Sequence, residues 1–157
     1  MANNKTKLTI EEITGIIRKE WGKETIEGQL LMPKLIRELY KQVGEIKEEE
    51  FPSIFETAGR CWKKGKGYTT YITVLTKRCM EDDNHSSTRW RVQRPSQTKL
   101  QIVDRYVRDG WSCEVQSYNV ICRKYMPHPK YKDIWVRFYS SRDCNRYELV
   151  IVKDANE

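Results

Sequence analysis

No run of about eighteen apolar residues occurs in this chain, so no segment of it reads as a membrane-spanning helix. The opening stretch, residues 1–7, is polar and lacks the apolar centre of a signal segment, which sets an expectation of cytoplasm or nucleus and of no membrane partner. Histidine is scarce. His85 and His128 are the only two, and neither sits in a local motif with a Ser or Cys nucleophile. Cys61, Cys79, Cys113, Cys122 and Cys144 form an odd set without any C-x-x-C, which suits reduced thiols better than a disulfide framework. There is no internal repeat and no low-complexity tract. These gaps argue against a disulfide-stapled secreted domain, a zinc knuckle and a nucleophilic hydrolase. The expectation is a non-catalytic protein with no cofactor and no metal.

Charge and aromatics fill the space left by those absences. Charged residues make up 32% of the 157-residue chain against 38% apolar, and five Trp, nine Tyr and three Phe set it apart from disordered sequences, which are aromatic-poor. The net charge of +7 is uneven: residues 1–51 hold 9 Lys and Arg against 10 Asp and Glu, while residues 52–157 hold 20 against 12. The excess cation therefore lies in the second part, and such a field favours polyanionic partners.

Periodicity supplies the elements. Thr9 and Glu12 have capping-box spacing, and Ile10, Ile13, Ile17 and Trp21 recur as one helical stripe that stops at Gly22. A second helix is signalled by Leu35, Ile36, Leu39, Tyr40 and Val43, with Pro33 either at its first position or inside it if it begins near Thr25. A third runs from Phe51 through Trp62. Strand composition follows over 68–76, then a polar loop over 81–87, then a short strand over 89–93 with Trp90 and Val92 inward. Ser96 to Gly110 is a fourth, amphipathic helix, and from Trp111 the period switches to two. Strands are expected over 111–117, 120–124, 133–139 and 147–152, the last apolar on both faces and so central.

The fold class that results is α+β: an N-terminal three-helix segment packed with a mostly antiparallel sheet of five to six strands that carries one further amphipathic helix. The expected organisation is a single domain over 8–153, helical over 8–64 and sheet over 68–153, with flexible tails at 1–7 and 154–157.

Strand alternation then picks out candidate binding residues. If Ile134, Val136 and Phe138 face the core, Trp135, Arg137 and Tyr139 share the other face, and Arg89 and Arg91 are displayed in the same way, with Arg94 just beyond. An aromatic–arginine row suits single-stranded RNA or DNA, whose bases stack on rings while guanidinium groups hold phosphates. Against this stands the expectation that a second layer of N-terminal helices covers that face and makes Trp135 and Tyr139 core residues. Lys63, Lys64 and Lys66, interleaved with Gly65 and Gly67, have the chemistry of a phosphate-contacting turn, although lysines also collect at helix C-termini for dipole reasons.

Other constellations are thinner. Cys113, Cys122 and His128, or Cys79 and His85, lack metal-knuckle spacing, and the consecutive Glu81, Asp82 and Asp83 read as a solvated loop. Asp133, Glu148 and Lys153 lack the tight acidic-x-lysine spacing of a metal-dependent nuclease. The order of elements over 8–94 loosely resembles a winged helix-turn-helix, which would put a reading helix over 51–64 and a wing over 68–94. Two function readings result: a nucleic-acid-binding protein acting on RNA or single-stranded DNA, and a protein-interaction module that meets an acidic partner or forms a homodimer.

Overall fold

Thr9 Oγ1 accepts the Glu12 N–H at 3.1 Å while the Glu12 carboxylate accepts the Thr9 N–H at 2.8 Å, so the capping box is closed and starts α1 (Ile10–Glu20). The structure is a computed structural model and describes residues 7–59, 62–64, 72–84, 87–142 and 144–155. The chain divides into two compact units, Met1–Glu45 and Ile46–Glu157. In the first, α1 buries Ile13 and Ile17, and α2 (Ile26–Val43) buries Leu35, Ile36, Leu39 and Tyr40. Thr25 caps α2 by accepting the Gly28 N–H at 3.0 Å, so of the two readings of Pro33 the interior one holds. Only the second half of α2 is buried. Ile26, Leu30 and Leu31 in its first half stay exposed.

The second unit opens with a 3-10 turn, Glu48–Glu50, and α3 (Pro52–Ala58), which takes Pro52 in its first turn where the missing N–H is harmless. Gly59, at φ 83°, ends α3 well before Trp62. There follow β1 (Trp62–Lys64), β2 (Ile72–Thr76), α4 (Lys77–Asp83), β3 (Thr88–Trp90) and α5 (Gln97–Arg108). The last four strands are β4 (Ser112–Val115), β5 (Val120–Pro127), β6 (Ile134–Ser140) and β7 (Asn145–Lys153). All seven strands form one mixed sheet in the order β1-β7-β6-β5-β4-β3, with β2 also beside β7. The β4–β5–β6–β7 meander is antiparallel, and β1, β2 and β3 join in parallel. The α+β class stands, and β7 is interior, as its two apolar faces imply.

Several elements differ from expectation for physical reasons. Trp62–Lys64 is a strand and not the end of a helix, because Gly59 breaks α3 and β7 offers a free edge to pair with. The stretch read as a polar loop begins instead with α4: Thr76 caps it by accepting the Cys79 N–H at 3.1 Å, and Met80 is fully buried beneath its charged surface. Lys77–Glu81 and Arg78–Asp82 pair along its outer side. The hairpin wing is overturned, since β2 pairs with β7 and β3 with β4, on different sides of the sheet.

Both sheet faces are used. On one, Phe51, just ahead of α3, stands edge-on to Phe138 at 5.2 Å, and Tyr106 Oη of α5 lies 2.6 Å from Ser140 Oγ. On the other, Met80 of α4 packs with Tyr125, Trp135 and Val150. α4 is too short to cover that whole face, and the part toward β3 and β4 stays open as a cleft.

His128 gives the fold a pH dependence. Its ring is buried edge-on against Phe51 and its Nδ1 accepts the Lys130 N–H at 3.1 Å. Burial pushes its pKa below the ordinary value; Glu50 opposes that shift and Lys130 adds to it. The unfolded chain protonates His128 near about pH 6.5, so below that pH the unfolded state gains a proton that the folded state resists. Stability from this group is therefore complete above that pH and falls as acid is added. Urea midpoints should be lower at pH 5 than at pH 7 by a margin that shrinks in His128→Asn; equal falls in both proteins would assign the effect to another group.

Candidate nucleic-acid interface

Directly opposed residues of neighbouring strands share a sheet face, so the register sorts the cations. Arg89 pairs with Glu114, Ser112 with Arg123, Arg123 with Tyr139, and Tyr139 with Arg146. Arg89, Arg123, Tyr139 and Arg146, from β3, β5, β6 and β7, line a cleft of about 260 Å³ with Asp83, Ser112 and Glu114.

The cations in the cleft are not equally available. Arg123 Nη2 donates to Asp83 Oδ1 at 3.1 Å, while Gln116 Nε2 donates to Glu114 Oε2 at 2.7 Å. Arg146 lies over the Tyr139 ring at 4.7 Å. Arg89 is exposed, as are Arg91 and Arg94 beyond it, and among the described residues none of the three has a carboxylate partner. Trp90 stands between Arg89 and Arg91 with 46% of its surface exposed. Sequence alternation puts Trp90 inward, and the register does set it beside the buried Val115, but β3 is the edge strand and leaves the ring half in solvent.

The aromatic–arginine row on β6 is not a stacking surface. Trp135 is 8% exposed and belongs to the core under Met80, because α4 covers its end of the sheet. The Arg137 guanidinium is held by the Glu148 carboxylate at 2.5 Å, Tyr125 Oη at 3.0 Å and Thr73 Oγ1 at 3.0 Å. Burial disfavours its charge, but Tyr139, Glu148 and Tyr125 more than offset this, and it stays charged. Tyr139 is half-buried with guanidinium groups 5.3 Å and 4.7 Å from its ring, and burial pushes its phenol above the ordinary range while Arg137 opposes the shift. Its ring is already engaged by cations.

Lys63 and Lys64 lie on β1, in register with Arg146 and Tyr147. Lys66, with Gly65 and Gly67, falls outside the described residues, as does His85. Glu148, weighed as a nuclease ligand, is committed to Arg137. Among the described residues no group of three or more His, Cys, Asp or Glu could hold a metal ion. Residue parity alone could have found Arg123 and Arg146, since both lie on the Tyr139 face once the hairpins are registered. Comparison with family models, curated proteins and solved structures gives no match to this chain.

Proposed function

We propose that this chain binds single-stranded nucleic acid, RNA or DNA, at the β3 edge and the cleft beside it, without acting on it chemically. The observation that carries the reading is the exposed β3 edge, with Arg89 on the cleft face, the half-exposed Trp90 on the other, Arg91 and Arg94 beyond them, and no ion pair at any of the three arginines among the described residues. Guanidinium groups bind phosphate in forked hydrogen bonds, and a half-exposed indole offers a base about 1 to 3 kcal/mol of stacking. Arg146 continues the cationic track into the cleft, and Lys63 is next to it in register. Trp135 and Arg137 lie on the same sheet face as the cleft, packed under α4 or held by Glu148, and touch no ligand.

Fluorescence anisotropy of a labelled single-stranded oligonucleotide tests this. Four contacting guanidiniums, at about 0.7 per phosphate, give a slope of about −3 for log affinity against log salt. Trp90→Ala should weaken binding about tenfold while leaving that slope unchanged. A flat salt response ends the proposal.

A protein-interaction role is the second reading, favoured by Ile26 and Leu30, which are 77% and 69% exposed one turn apart on α2. Under it, purified protein carries no nucleic acid by absorbance ratio, and Leu30→Glu abolishes self-association.

A further inference from the structure

The turn between β4 and β5 fixes how the two strands face each other. Gln116 donates its N–H to Asn119 O at 2.8 Å, so the pairs behind the turn alternate: Val115–Val120 unbonded, Glu114–Ile121 bonded, Cys113–Cys122 unbonded. The Cys113 N–H confirms this by pointing the other way, to Ser87 O at 2.9 Å. In an unbonded pair the Cα atoms stand about 4.5 Å apart, the closest approach an antiparallel ladder offers. That lies inside the window of about 4.4 to 6.8 Å that a disulfide requires. The two Sγ atoms are 3.0 Å apart and both residues are buried.

Cys122 also has a route to small reagents. It lines a cavity of about 300 Å³ between α5 and the strands, on the face opposite the arginine cleft, with Ile102, Arg105, Tyr106 and Ser140. The Tyr106 and Ser140 hydroxyls in that wall are polar groups on which a small oxygen compound could rest. The hydrogen bond to Cys113 and burial push the Cys122 thiol up, while Arg105 draws it down. Cys122 therefore rests as a thiol at neutral pH and reacts slowly.

We infer that Cys113 and Cys122 form a redox-modification site, a dithiol that closes into a cross-strand disulfide when a hydroperoxide enters through the α5 cavity. Cys122 sulfur attacks the peroxide: an S–O bond forms, the O–O bond breaks, and the departing alcohol or water carries off the thiol proton. Cys113 sulfur then displaces the oxygen from the Cys122 sulfenic acid: the S–S bond forms, the S–O bond breaks, and water leaves with the Cys113 proton. Two thiols lose two electrons and one peroxide gains them. A thiol reductant reverses the step.

The full chain, reduced, desalted and treated with hydrogen peroxide, is then denatured, alkylated and weighed. Because no Lys or Arg lies between the two cysteines, tryptic peptide 109–123 carries both. Closure makes it lighter by about 2 Da and blocks both alkylations, and cleavage after Glu114 leaves the two halves joined until dithiothreitol is added. Cys79, exposed on α4, is the internal control for oxidant. Oxidation of Cys79 while Cys113 and Cys122 still alkylate overturns the proposal, as does a bridge to Cys61, Cys79 or Cys144. Cys113→Ala should trap a dimedone-reactive sulfenic acid at Cys122. Equal trapping at Cys113 in Cys122→Ala would overturn the order of attack and the cavity route. Should either variant fail to fold, the peptide mass of the unaltered chain still decides.

Discussion

Alanine in place of Glu148 should lower the stability of the sheet unit by about 3 to 5 kcal/mol, the range found when one partner of a buried ion pair is removed. Glu148 and Arg137 have side chains only 7% and 14% exposed, so solvent screens their interaction little. Without the carboxylate, the guanidinium keeps Tyr125 Oη and Thr73 Oγ1 but loses its counter-charge, and its buried Nε already lacks a partner. The loss is a desolvation effect more than a lost attraction. Arg137→Met combined with Glu148→Leu should therefore recover most of the stability, because the pair sits beside the apolar Trp135–Val150 packing. Urea unfolding followed by circular dichroism reads both variants. A Glu148→Ala loss below about 1 kcal/mol would mean that water reaches the pair and that the argument from burial is wrong.

Removing the β3-edge cations should have the largest effect on binding. Arg89, Arg91 and Arg94 are exposed, so replacing all three with Gln leaves the fold intact. At about 1 kcal/mol each for a guanidinium–phosphate contact, the triple variant should bind a single-stranded oligonucleotide about 100-fold more weakly. Its salt slope should become shallower by about 2. The control is a variant with the same loss of charge elsewhere: Lys19, Lys34 and Arg37, all exposed on the N-terminal helices, changed to Gln. A threefold or smaller change is expected there as an order-of-magnitude bound, since net charge alone acts through a screened field. Equal losses in the two triple variants would reduce the interface to bulk charge and remove the assignment to β3.

Local chemistry was readable in the sequence wherever one residue type settles a backbone question. The Thr9–Glu12 box, the Ser96 cap of α5 and the Gly110 stop all stand, and so do the period-two strands after Trp111. What could not be read depends on partners distant in sequence. Alternation separates Trp135 from Phe138 correctly, but it cannot say that a seven-residue helix will bury the first while Phe51 buries the second. That helix itself was hidden because seven residues hold too few apolar positions to establish a period; Met80 is its one buried anchor. Trp90 misleads for the complementary reason. Its parity is inward, but only the strand order shows that it stands at an edge. Arginine is the hardest residue to place from sequence, since Arg137 and Arg89 look alike until Glu148 is seen beside one of them.

The position of β7 also shapes how the protein comes into being. β1, β2 and β6 all pair with it, yet it follows every one of them along the chain. At about 5 to 20 residues per second, the hundred or so residues between Glu45 and Asn145 delay its emergence from the ribosome by roughly 5 to 20 seconds. Through much of that interval the helical hairpin of the first unit can already be complete, while β1 and β2 wait unzipped for a shared neighbour. That wait is the stage at which a molecular chaperone has most to offer this chain.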